Sequence, residues 1–343
     1  MRPNPILNIL PLGPQWPTMD PFLFCVHHDD AYPQANPDMG PKASLAGRNI
    51  GQDFSRKDGW SMYHGHSVPG FPAHPHRGFE TVTIVRKGLI DHSDSLGATA
   101  RFGRGDVQWL TAGKGIVHAE MFPLLNCDVA NPLELFQIWL NLPAASKMAE
   151  PHFTMFWADD IPNRVVKDAN GLETFVSVIA GQLAEVDKPL SPPPDSWAAQ
   201  AQADVAIWTL RMQSGAHFTL PAAHPGTQRN LYFFKGQSVR VGGQDVGSYS
   251  AFELQADAAV ELLNGHQEAE FLLLQGKPIA EPVAQYGPFV MNTQAEIRQT
   301  IADYQRTQFG GWPWADPAPT HGHDPARLAT HPGGRKELPT SRI

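Results

Sequence analysis

Thirty-two prolines and 30 glycines are scattered through these 343 residues, leaving few places where a long regular element can run unbroken. Proline removes a backbone donor and fixes φ, and glycine favours turns. Between them lie short runs rich in β-branched and aromatic residues. These are ETVTIV (80–85), DVQWL (106–110), LELFQIWLNL (133–142), ETFVSVIAG (173–181), VAIWTLRM (205–212), RNLYFFKG (229–236), SVRVGG (238–243) and EFLLLQG (270–276). Many short strands separated by turn signals predict an all-β chain of sandwich or barrel type. The runs form two groups, about 50–142 and 173–276, and the length suits about two domains. The stretch 183–204, with three consecutive prolines, reads as a long loop.

One helix is signalled. In NTQAEIRQTIADYQRTQFGG, Thr293 stands three residues before Glu296, the capping-box spacing; Ile297, Ile301 and Tyr304 recur at helical intervals, and Gly310–Gly311 supplies a stop. The stretch 312–343, rich in Pro, Gly, His and charge, reads as an extended tail. Its removal after Trp314 is expected to leave stability unchanged.

A net charge of −8 lacks the basic footprint of direct nucleic-acid binding. Two cysteines, Cys25 and Cys127, argue against a disulfide framework and a cysteine zinc site. The first residues lack the apolar core of a signal peptide, and no apolar run reaches membrane-spanning length, so a cytoplasmic location is expected, with no membrane partner.

The chemistry centres on FPAHPHRGFE (71–80). His74 and His76 are two apart, and on a strand such residues share a face. GDVQWLTAGKGIVHAEMF (105–122) supplies a second such pair, His118 and Glu120. Three imidazoles and a carboxylate converging from two β-segments suit a divalent first-row metal with open positions, iron(II) before Mn, Ni, Cu or Zn. Chance placement of 15 histidines gives roughly 0.7 H-x-H pairs, so spacing alone is weak. The H-x-E pair downstream is what singles out His74/His76. The pair His64/His66 reads as a loop or rim pair, His321/His323 as solvated, and His27–His28 as structural or surface.

These strings also carry a resemblance. HPHRGFETVT (74–83), GDVQWLTAGKGIVHAEM (105–121), LFQIWLNL (135–142), KMAEPHF (147–153) and EPVAQYGPFVMNT (281–293) resemble the pirin family of the cupin superfamily over about residues 20–310. The resemblance implies two tandem cupin (jelly-roll) β-barrels with a C-terminal helix. A metal-binding barrel would span 1–145, a degenerate one 146–285, a returning segment and helix 286–312, and the tail 313–343. It implies His74, His76, His118 and Glu120 as ligands of one metal ion. Glu80, where many cupins place a carboxylate ligand, would be a supporting group or a base, or would pair with Arg77 or Arg86. His217 and His224 in the second barrel are expected to bind no metal.

Two functions follow as expectations. One is a quercetin 2,3-dioxygenase-like enzyme acting on a flavonol or another phenolic with dioxygen, with Glu120 or Glu80 as base. The other is an iron-dependent regulator that binds a protein partner. Phe79, Trp109, Met121 and Phe122 are candidates for the substrate path, and alternation favours Phe122 over Met121.

Overall fold

The computed structural model describes residues 4–184, 186 and 188–340. The chain divides into two compact units whose segments do not follow linear order. One comprises the chain up to Val26, Ile138–Asn141 and Asp160–Ala280; the other comprises His27–Gln137, Leu142–Asp159 and Glu281 onward.

In the unit containing Asp160–Ala280, a seven-stranded antiparallel sheet runs in the order Ile6–Pro11, Ser250–Leu254, Gln228–Lys235, Ala269–Gly276, Ala206–Met212, Glu173–Ala180 and Asn163–Lys167. The N-terminal segment belongs here because Ile6–Pro11 pairs with Ser250–Leu254. A four-stranded sheet runs His217–Leu220, Val260–Asn264, Ser238–Val241 and Gln244–Gly247. Three of its strands alternate strictly, as in His217–Leu220, where Phe218 and Leu220 are buried while His217 and Thr219 are exposed. The buried side joins Trp208, Leu210, Phe233 and Phe271 in one core. The predicted loop 183–204 holds only two 3-10 turns, Trp197–Ala199 and Ala201–Ala203, among its described residues; Glu185 and Asp187 lie outside them.

Centred on the other unit is a five-stranded sheet, in the order His152–Phe156, Val107–Thr111, Phe79–Lys87, Asn131–Asn141 and Phe22–Tyr32. That unit's six-stranded sheet runs Lys336–Glu337, Leu328–Thr330, Thr99–Gly103, Leu89–Asp94, Ile116–Met121 and Gly70–His76. The motif HPHRGFE therefore turns a corner: His74 and His76 end a strand of one sheet and Phe79 opens a strand of the other. Gly78 makes the corner feasible. It sits at φ +85°, and a Cβ there would meet the Val290 carbonyl oxygen at 1.9 Å. Lys147 Nζ, fully buried, donates to Gly78 O (2.9 Å) and Val290 O (3.2 Å) and clamps the turn.

The helix spans Gln294–Thr307 with both halves of the capping box formed. It ends one turn before the predicted glycines, on Gln308 in the left-handed conformation. Ile297 is buried, and Ile301 and Tyr304 pack beside Phe289, Met291 and Phe309. Arg77, next after His76, reaches Asp303 Oδ2 at 2.9 Å, so the helix braces the histidine motif.

The segment after Gly311 is not a solvated tail. Pro317 O accepts from Ala73 N (2.7 Å), the Trp314 indole donates to Asp94 O (2.9 Å), and His321 N donates to Asp91 Oδ2 (2.8 Å). Leu328–Thr330 pairs with Thr99–Gly103 as an added strand. His321 is thus docked by its backbone, and its Nε2 lies 2.8 Å from His92 O. The expectation of a solvated His321 is corrected, and the segment expected to be an extended tail is docked. Composition suggested solvent, but three residues of strand and a few well-placed donors suffice to seat the segment on a sheet edge.

Candidate metal centre

Three neighbouring strands of the six-stranded sheet build the site. Gly70–His76 pairs with Ile116–Met121, placing His74 directly opposite His118 beyond an irregularity between Phe71 and His74. On the other side, Leu89–Asp94 sets Asp94 opposite His118 and His92 opposite Glu120. Side chains directly opposite share a face. The rings of His74, His76 and His118 stand with centroids 4.5–4.8 Å apart, and one nitrogen from each lies within 4.8 Å of the others.

Burial keeps these imidazoles neutral. It lowers His74 to about 4 and holds His76 and His118 well below the usual histidine range. Neutral nitrogens are what a metal requires. His74 Nδ1 lies 2.8 Å from Pro72 O, which fixes its proton there and leaves Nε2 to coordinate. His118 is fully buried, and neither ring nitrogen has a hydrogen-bond partner among the described residues. Such an orphaned polar ring is costly in a protein interior unless something binds it. A divalent cation bound to the three imidazoles would take one of the two His118 nitrogens and remove that part of the cost, so the donor set fits a metal.

Glu120, 4% exposed, lies on the same strand face as His118 but outside the imidazole cluster. Thr83 Oγ1 donates to its Oε1 (3.0 Å) and Gln137 Nε2 to its Oε2 (3.2 Å). Burial raises its pKa, against the lowering pull of His92 and these hydrogen bonds. Glu80 is fully buried, three residues from Thr83 and hence on the opposite strand face, where Thr111 Oγ1 donates to it at 2.6 Å. Arg77 and Arg86, its suggested partners, bond to Asp303 and Glu134.

The remaining candidates fall as follows. His64 and His66 are exposed in a loop, with His64 Nδ1 2.7 Å from Gly51 O. His27 meets Glu134, and His28 Nδ1 lies 2.7 Å from the Tyr63 hydroxyl. In the other unit, His217 pairs with Glu261 (2.6 Å) and His224 with Asp204 (3.0 Å). Phe79 packs against His76 with ring centroids 5.0 Å apart. Phe122 follows the strand and joins Tyr63 and Phe71, while Trp109 packs on Phe156 and Met121 is buried.

Sequence reasoning missed His92. Its ring centroid lies 5.5 Å from that of His118, its Nε2 is 3.1 Å from Asp94 Oδ2, and Phe153 stacks on it. The signal in LIDHSD is the spacing of two between His92 and Asp94, which share a face once the stretch is a strand.

A β-sheet protein with a buried three-histidine cluster suited to a divalent metal is the class defined so far. Two family models match the chain, Pirin over residues 8–140 and the Pirin C-terminal cupin domain over residues 207–310. The chain belongs to the pirin family. It is 37% identical to Pirin-1 of Arabidopsis thaliana over 70% of this chain and 78% of that one. It is 35% identical to a Pseudomonas aeruginosa protein named provisionally as a quercetin 2,3-dioxygenase, over 70% of this chain and 79% of that one. Among solved structures, one titled quercetin 2,3-dioxygenase from Acinetobacter baumannii superposes with a TM-score of 0.69 at 27% identity, covering 89% of this chain and 98% of that one.

Proposed function

We propose that this chain is a metal-dependent, quercetinase-type dioxygenase. His74, His76 and His118 hold one divalent metal, iron(II) by preference, and Glu120 is its fourth ligand or the base beside it. The observation that carries the reading is His118, buried with both nitrogens unpartnered between two other neutral imidazoles. The 35% identity to a protein named as such an enzyme points to the substrate. We further propose that each unit is a cupin barrel, with the metal in one only, and that Glu80 is structural.

Bound there, the metal supplies Lewis acidity and a path for electrons to dioxygen. The protein does the rest. Glu120, its basicity raised by burial, takes the proton of the flavonol 3-hydroxyl at a carboxylate oxygen. Gln137 and Thr83 hold that carboxylate in place. Phe79 packs behind His76 and excludes water from that side. The overall reaction balances: flavonol plus dioxygen gives a depside plus carbon monoxide, two oxygen atoms in and two incorporated.

The test is metal analysis, then anaerobic addition of quercetin to the iron-loaded protein, then dioxygen. A shifted quercetin band that bleaches with release of carbon monoxide is expected. A metal-replete protein that neither perturbs the quercetin spectrum nor consumes oxygen would refute the flavonol assignment and bring forward the protein-partner reading.

A further inference from the structure

A metal would take one nitrogen of His118 and would leave other buried polar groups of this unit unmatched. Gln108 is fully buried, and neither its amide oxygen nor its nitrogen has a hydrogen-bond partner among the described residues. Thr81 Oγ1 and His92 Nδ1 are also buried without partners. Leaving such a group unsatisfied is costly, so native interiors keep few.

The position of Gln108 is set by register. It lies directly opposite Thr83 on one neighbouring strand and Met155 on the other. Opposed residues share a face. Thr83 bonds Glu120, so Gln108 also stands on the face turned toward the metal-bearing sheet. Across the five-stranded sheet, Gln137, Thr83 and Gln108 form a row. The first two are spent on Glu120. Gln108 comes next, on the side of the strand that carries Phe153, whose ring stacks on His92.

We infer that Gln108 reads the ligand bound at the metal: its carboxamide hydrogen-bonds an oxygen function of that molecule. A carboxamide offers one donor group and one acceptor, and Glu120, held by the neighbouring Thr83, adds an acceptor. The molecule that satisfies both carries a hydroxyl next to a second oxygen, as in an α-hydroxy-carbonyl or a catechol. The inference rests on the metal-centre reading but not on a flavonol as substrate. It gives both polar atoms of the buried Gln108 amide a partner.

The experiment replaces Gln108→Leu, which keeps the size and deletes the amide. Metal content, melting temperature without ligand, and affinities for catechol, quercetin and azide are measured on the metal-loaded protein. Expected are unchanged metal content, an unchanged or raised melting temperature, roughly tenfold weaker catechol and quercetin binding, and unchanged azide binding. A melting temperature lowered by several degrees would show that the amide serves the fold and overturn the inference. Catechol affinity within twofold of wild type would overturn it as well, as would a wild-type protein that binds no chelator. Wild type that binds catechol but not quercetin would sink the flavonol reading alone, with the catechol comparison still deciding Gln108.

Discussion

Arg327 offers the sharpest test of the docked C-terminal segment. Its Nη1 lies 2.6 Å from Asp106 Oδ1; Asp106 is fully buried and Arg327 is 14% exposed. Removing one member of a buried ion pair costs about 3–5 kcal/mol when the other is left uncompensated. Here Asp106 keeps two backbone donors, Gly103 N to Oδ2 and Ala158 N to Oδ1, both at 2.9 Å. Burial already raises its pKa, so it can shed part of the penalty by taking a proton. Arg327→Ala is therefore placed at about 2–3 kcal/mol. At roughly 2–4 °C per kcal/mol for a unit of this size, the melting temperature should fall by roughly 4–12 °C. Calorimetry at pH 7 measures it, and a double-mutant cycle with Asp106→Asn should return a coupling of at least about 1 kcal/mol. Deletion after Trp314 should destabilise too, because it also removes the strand Leu328–Thr330 and the carbonyl of Asp324 that Arg101 meets. An Arg327→Ala protein melting within about 1 °C of wild type, with no coupling to Asp106, would show that the segment is detached in solution and refute the reasoning.

Two further outcomes follow. His76→Ala should lose most metal uptake while keeping its far-UV circular dichroism; full metal occupancy on elemental analysis would overturn the ligand assignment. Asp303 is held at about 2 by hydrogen bonds from Arg77 and Gln299, below its ordinary 3.8, so its contribution is present above about pH 4 and fades as pH falls toward 2. Asp303→Asn should therefore be less stable than wild type at pH 7, with the gap in urea midpoint closing between about pH 4 and 2; a gap that is constant with pH would exclude the Arg77 pairing as its source.

The imidazoles were legible because alternation along a strand is a local property. His74/His76 and His118/Glu120 declare a shared face by spacing alone, and the capping box declares the helix by the same kind of short-range rule. What escaped was set by pairing between strands. His92 faces Glu120 only through the register of Leu89–Asp94 on Ile116–Met121. The seating of Leu328–Thr330 depends on a sheet edge formed more than two hundred residues earlier. Glu80 is the instructive near miss. It lies four residues after His76, but the corner at Gly78 puts it on a strand of the other sheet, with Thr111 as its partner.

That corner separates two kinds of duty. The six-stranded sheet carries the imidazoles, and its outer strands are closed by the segment after Gly311 at Ala73 and at Thr99–Gly103. The five-stranded sheet contributes no member of the imidazole cluster; it contributes Thr83 and Gln137, which fix the carboxylate, and Gln108, whose amide bonds nothing among the described residues. A substitution on the first sheet should be read out in metal content or melting temperature. One at Gln108 should be read out in ligand affinity with both of those unchanged. The two readouts separate because the imidazoles come from one sheet alone, while the hydrogen bonds that would select the ligand come from the sheet facing it.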